Sequence, residues 1–230
     1  MHILYIYACM QIIFESLPVS SSGNLALWIP MLHERFFSHQ SLKNLTVFDY
    51  ALHIPTFFIL IIFLFLYFFS FFKEYKNRII TLIVHCFVSN LITVFFYFFW
   101  NFAGKTFFPL WFGFLITTVL LFSLRFVKKT IFKKELTCKN ACLLGLVQGV
   151  ALLPGISRFA ATFVAAVWLD YEDTKAFLYS FLLELPLIAV SGMYASIRFY
   201  EGALPAVVYE KYFYMVMLFC AVSSVGRARH

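Results

Sequence analysis

Four stretches of this 230-residue chain, about 48–72, 79–101, 107–127 and 176–200, stay apolar long enough to cross a hydrocarbon layer. A helix needs roughly 20 such residues to do so. A fifth apolar run begins near 206. Two further stretches are interrupted. Leu17-Pro18-Val19-Ser20-Ser21-Ser22-Gly23 breaks 3–32, and Leu153-Pro154-Gly155-Ile156-Ser157-Arg158 breaks 141–169. The pieces are too short to span alone, and non-helical backbone survives at membrane depth only when it is buried in protein or lines a wet cavity. Each break therefore predicts a re-entrant hairpin with a functional tip.

Composition agrees. Hydrophobic residues make up 63% of the chain and charged residues 13%, against about 45–50% and about 25% in soluble domains. One soluble core cannot absorb that excess, so much of it faces lipid. The net charge of +7 would elsewhere suggest nucleic acid, but here the basic residues sit in short loops. Lys73, Lys76 and Arg78 fill loop 73–78, and Lys128, Lys129, Lys133, Lys134 and Lys139 fill loop 128–140. The opposite loops, 33–47 and 102–106, hold only Arg35, Lys43 and Lys105. The positive-inside rule puts the two basic loops in the cytoplasm and makes the chain a multi-pass membrane protein with no nucleic-acid partner. The first hairpin then opens outward and the second enters from the cytoplasm.

The two breaks resemble each other. Gln11 lies seven residues before Pro18 and Gln148 six before Pro154, and each proline is followed three positions later by a serine, Ser21 or Ser157. Paired broken helices point to inverted repeats with a site at their interface. The expected fold is all-α: a polytopic membrane protein of two inverted-topology halves, each led by a re-entrant helical hairpin. The halves are about 1–127 and 141–222 of a single membrane domain, with 223–230 as a tail outside it. Cys9, Cys86, Cys138, Cys142 and Cys220 are scattered and odd in number, which predicts neither a disulfide framework nor a zinc site. The first apolar stretch lacks a basic leader and a small-residue cleavage site, so no cleaved signal peptide is expected.

Ionisable groups at these breaks are costly and therefore informative, by about 2.5–3.5 kcal/mol on insertion scales. Glu15 lies three residues before Pro18, and Arg158 closes the second break. A structural ion pair is the plain reading of Glu15 with Arg158, and helix capping that of Ser20, Ser21 and Ser22. The chemical reading starts from Arg158. Its planar fork suits a phosphate, helix N-termini at a hairpin tip suit any anion, and a carboxylate beside a phosphate usually holds a hard divalent cation. The constellation suits a phosphorylated amphiphile.

The stretch from Gln11 through Glu15, Pro18, Ser21, Gly23 and Asn24 to Leu25 resembles the first signature of the bacterial undecaprenyl-diphosphatase family, the bacitracin-resistance type. Gln148-Gly149 with Leu153-Pro154-Gly155-Ile156-Ser157-Arg158 and Thr162 is similar to its second signature, and Ser180-Phe181-Leu182-Leu183-Glu184-Leu185-Pro186 to a later stretch. The resemblance implies hydrolysis of undecaprenyl diphosphate to the monophosphate and inorganic phosphate in the bacterial inner membrane. It puts Glu15 and Gln11 at acidic, metal-associated positions for Mg²⁺ or Ca²⁺. Ser21 stands at the nucleophile or phosphate-contacting position, and Arg158 at the phosphate clamp. Ser20, Ser22, Gly23, Gly155, Ser157 and Thr162 complete the phosphate-binding set. Oligomeric state is left open.

Three features depart from the family pattern. Asn24 stands where the family has histidine, and an amide cannot exchange protons as a general acid or base. Phe159 and Ala160 replace a small pair after the arginine. The tail Ser223–His230 does not read as membrane helix. His53 is a candidate replacement base, although a satisfied helix histidine is the plainer reading; His85 matches no motif. The alternative function is an impaired member that binds or translocates polyprenyl phosphate. A small-solute transporter would explain the repeats but not the signatures.

Overall fold

The computed structural model describes residues 79–104, 108–127 and 136–200, with single positions inside 20–27 and 50–65. The described residues are helical, with turns and no strand. Five helices have full bounds: α1 (Ile79–Ala103), α2 (Leu110–Ser123), α3 (Cys138–Val150), α4 (Arg158–Trp168) and α5 (Asp173–Tyr200). A short 3₁₀ turn, Leu124–Phe126, ends α2. The described positions between 21 and 27, and between 50 and 65, are also helical. The expected segments 79–101, 107–127 and 176–200 thus emerge as α1, α2 with its 3₁₀ turn, and α5. The run from 206 lies outside the described residues.

Helices α1 and α5 are long and apolar enough to cross a membrane. In the spanning window of α1 only 17% of residues are buried, and Phe87, Phe95, Phe98 and Phe102 stand on its open surface. A water-soluble helix could not leave such a face uncovered, whereas lipid is its natural solvent.

The chain divides into two compact units, one of 18–24 with 72–184, the other of 1–17 and 25–71 with 185–230. The division falls inside α5. In the second unit the described helix at 50–65 packs on the later part of α5. Tyr50 and Tyr194 meet edge to face at 5.6 Å, and a Cβ on Gly192 would lie 3.0 Å from the Ile54 side chain.

Among the described residues of the first unit, the α1–α3 pair makes the most extensive helix contact. The sequence of α3 carries small residues every fourth position, Ala141, Gly145 and Gly149, which lets two membrane helices approach until their backbones touch. A Cβ on Gly145 would lie 2.6 Å from the Ser89 carbonyl oxygen, and one on Gly149 2.6 Å from the Phe96 ring. Polar groups then bridge the contact. Ser89 Oγ donates to the Ala141 carbonyl, Thr93 Oγ1 lies 3.1 Å from Gln148 Oε1, and Trp100 Nε1 donates to the Gly149 carbonyl at 3.0 Å. On the other side of α3, Leu144, Val167, Tyr171, Tyr179 and Leu183 form a buried cluster. Asn140 Nδ2 donates to the Tyr171 hydroxyl at 2.8 Å.

Gly145→Ala is expected to force α1 and α3 apart and destabilise the protein by about 1–3 kcal/mol, the usual cost of overpacking. Unfolding in detergent micelles measures this, with the lipid-facing Phe87→Leu as a near-neutral control. Equal stability of Gly145→Ala and the parent would contradict the close approach.

Candidate active site

The second break is a short, fully determined turn. Helix α3 ends at Val150 and α4 begins at Arg158. Between them Leu153 N–H donates to the Val150 carbonyl at 3.1 Å, and Ile156 N–H to the Leu153 carbonyl at 3.3 Å. Gly155 takes φ +84°, a left-handed conformation that favours glycine. Ser157 caps α4: its backbone is extended, and its Oγ accepts from Ala160 N–H at 3.3 Å. The apolar residues of the turn, Ala151, Leu153 and Ile156, are buried with Ala161 against Trp100, Ile116 and Leu120.

Backbone groups left over by this turn are met by Thr117 on α2. Its buried hydroxyl accepts from Ser157 N–H at 3.0 Å. It lies 3.2 Å from the Gly155 carbonyl oxygen and 3.1 Å from that of Gly113, either of which can take its single proton. Helix α2 comes close enough because position 113 is glycine: a Cβ there would overlap the Pro154 carbonyl oxygen and lie 2.8 Å from Gly155 Cα.

The first break meets the second at the same glycine. Ser20 is buried and caps the turn that follows it, its Oγ accepting from Gly23 N–H at 3.1 Å. A Cβ on Gly23 would lie 2.9 Å from Gly155 Cα and 3.1 Å from the Phe114 ring. Two serine-capped helix N-termini thus come into contact through Gly23 and Gly155. The helix after the first break starts at Ser21, so Ser21 and Gly23 are helical rather than part of the break. The serine that structurally matches Ser157 is Ser20, not Ser21. Ser21 and Arg158 hold matching first positions of their helices.

Arg158 Nη2 lies 3.9 Å from Glu184 Oε1 on α5, with side chains 31% and 20% exposed. Sequence reasoning set Glu15 opposite this arginine and passed over Glu184. The signal that could have found it is an acidic residue in an apolar spanning helix. Thr162, predicted to bind phosphate, is buried, and its hydroxyl donates back to the Arg158 carbonyl at 2.9 Å. Asn24 folds onto its own turn, its Nδ2 donating to the Ser20 carbonyl at 2.8 Å. Gln148 is a buried tie: beyond its contact with Thr93, its Nε2 donates to the Leu183 carbonyl at 3.0 Å. Phe159 is accommodated by Phe181 and Phe177, at 4.9 and 5.4 Å between ring centroids. His85 Nδ1 is buried without a hydrogen-bond partner among the described residues. Gln11, Glu15 and Ser22 lie outside the described residues. Among the described residues no three His, Cys, Asp or Glu side chains gather as a metal site would require.

This arrangement brings two helix N-termini, each carrying partial positive charge, together at one glycine-lined junction, with Arg158 as the first residue of α4. It is suited to an anion with several oxygens. Comparison with known proteins identifies the class. A family model described as bacitracin resistance protein BacA matches residues 4–227, and the chain belongs to that family of membrane proteins. Among its relatives, the undecaprenyl-diphosphatase of Borrelia recurrentis is 31% identical over 197 residues, 78% of this chain and 70% of the relative. That of Christiangramia forsetii is 33% identical over 188 residues, 78% of this chain and 69% of the relative. Undecaprenyl-diphosphatase 1 of Corynebacterium jeikeium is 40% identical over a shorter 85 residues, 34% of this chain and 30% of the relative.

Thr117→Val keeps the shape of the side chain but leaves the Gly155 carbonyl and the Ser157 N–H without their partner. A buried unsatisfied group costs about 1–3 kcal/mol. Thermal unfolding in micelles should show a loss of that order, and Thr117→Ser should recover most of it. A valine variant as stable as the parent would mean that the hydroxyl does not hold the break.

Proposed function

We propose that the protein is an undecaprenyl-diphosphate phosphatase of the bacterial inner membrane, releasing inorganic phosphate and the lipid monophosphate. Membership of the family supports the activity. The single structural observation that supports the site is the meeting of the two capped N-termini at Gly23 and Gly155, with Arg158 at the first position of α4. In this reading the diphosphate lies at that junction. Arg158 draws on the charge developing on the transferred phosphoryl, and backbone N–H groups near Ser21 and Ser157 orient its oxygens. Ser21 stands at the matching position on the other helix and serves as nucleophile or phosphate contact.

The re-entrant hairpins and the inverted repeat belong to the same proposal. Their register is best drawn through the capping serines. Ser20 then matches Ser157, Ser21 matches Arg158, and Gln11 and Gln148 each stand nine residues before their cap. The proline-based register leaves those glutamines one position out of step. The basic loops 73–78 and 128–140 face the cytoplasm in this topology. A divalent cation, Mg²⁺ or Ca²⁺, is proposed on the oxygen chemistry of Glu15, with Gln11 as second donor. It would supply Lewis-acid polarisation of the diphosphate. The described residues do not by themselves make such a site.

Phosphate release from a C55 or shorter polyprenyl diphosphate by the purified protein, with and without each cation, tests the reading. Arg158→Ala and Glu15→Ala should each lower the rate on the order of 10²–10³-fold while the protein stays folded. Two folded variants as fast as the parent would refute the site.

Asn24 gives a sharper test. Its amide closes the turn back onto Ser20 and cannot move a proton near neutral pH. General acid–base groups contribute about 10²–10⁴-fold. The parent should be slow, and Asn24→His should raise turnover by at least about tenfold, with a pH profile in the histidine range. Asn24→Gln should not reproduce the gain. A fast parent whose rate collapses in His53→Ala would assign proton transfer to His53 instead.

A further inference from the structure

Arg158 stands where a cation is least comfortable, at the positive end of a helix, so its guanidinium calls for an anion even when no substrate is bound. Glu184 supplies one, but loosely. A charge-assisted bond between guanidinium and carboxylate closes to about 2.7–2.9 Å. The 3.9 Å separation here leaves the pair in coulombic contact without committing the guanidinium N–H groups to it.

The frame around the pair is far tighter than the pair itself. Next to Glu184, the Leu183 carbonyl is tied to the buried Gln148 amide at 3.0 Å. Next to Arg158, Phe159 packs on Phe181 and Phe177 of the same α5 helix. Two fixed backbones therefore present two long, partly exposed charged side chains whose tips can separate and rejoin without moving a helix.

We propose that Glu184 is a positioning residue, an internal counter-ion on Arg158 that the substrate displaces and that reclaims the guanidinium after cleavage. The proposal rests on the phosphatase reading above. Hydrolysis adds water across the P–O–P bond and, near neutral pH, releases a proton with two monophosphates, each of which carries less charge than the diphosphate did. A fixed carboxylate competing for the same arginine is outbid more easily by the diphosphate than by either product. Glu184 thus favours substrate over product at Arg158 and hastens release, taking no proton and forming no bond to phosphorus.

The test uses the full-length protein in micelles, comparing the parent with Glu184→Gln, Glu184→Ala and Glu184→Asp. Inorganic phosphate is the probe, read as a product-inhibition constant during hydrolysis and by direct equilibrium binding, with pyrophosphate in parallel. Removing the carboxylate should tighten phosphate about two- to fivefold, the scale of a partly exposed ion pair. KM should fall by less than the phosphate constant does. Glu184→Asp, with its charge one methylene farther back, should fall between parent and neutral variants. Phosphate binding that is unchanged or weaker in both neutral variants overturns the proposal, because a merely structural glutamate would lower stability or kcat without tightening the product. If the parent hydrolyses no diphosphate, the phosphatase reading fails separately, and direct phosphate and pyrophosphate binding still decides the role of Glu184.

Discussion

A buried break between two helices leaves backbone donors and acceptors with no water to take them, and the hydroxyl of Thr117 answers that problem at the second break. It takes the Ser157 N–H and reaches the Gly155 carbonyl. The capping serine thereby holds the extended conformation from which α4 starts. A buried unsatisfied backbone group costs about 1–3 kcal/mol, so the break is held by such partners. The position of Arg158 follows, because it is the first residue that the capped helix presents.

Glycine makes that satisfaction geometrically attainable. Gly113 lets α2 lie on Pro154 and Gly155, and Gly23 lets the first break touch the same residue. The α1–α3 pair uses the same device in Ala141, Gly145 and Gly149, with Ser89 and Thr93 bonding across the contact. Small residues bring the backbones together, and hydroxyls then use the proximity. The result brings two helix N-termini, with their like partial charges, to one junction.

Much of this was legible in the sequence, and the reason is physical. Spanning helices need long apolar runs, so α1, α2 and α5 were marked by hydropathy alone. Proline followed by glycine is a strong turn signal, and Gly155 takes a left-handed φ that ends the helical run, so the second break was marked to within two residues. The motif around Ser157 and Arg158 was also visible. What escaped were partners set by tertiary packing. Nothing local distinguishes Thr117 from the neighbouring Thr118, yet one faces the break and the other bonds its own helix at Phe114. Glu184 stood unread between two motif residues because its meaning depends on Arg158, 26 positions earlier. The cap register escaped as well. Counting from the prolines selects Ser21, whereas the N–H of Gly23 bonds Ser20. Only the hydrogen bond decides between two adjacent serines.

If the two breaks form one anion site, a diphosphate binds at the Gly23–Gly155 junction. An experimental structure with a non-hydrolysable polyprenyl diphosphonate bound tests it most directly. The phosphonate oxygens should lie on the Arg158 guanidinium and near the backbone of 21–23, with Glu184 drawn away from Arg158. A diphosphonate bound elsewhere, with Arg158 still against Glu184 and the junction empty, would contradict it.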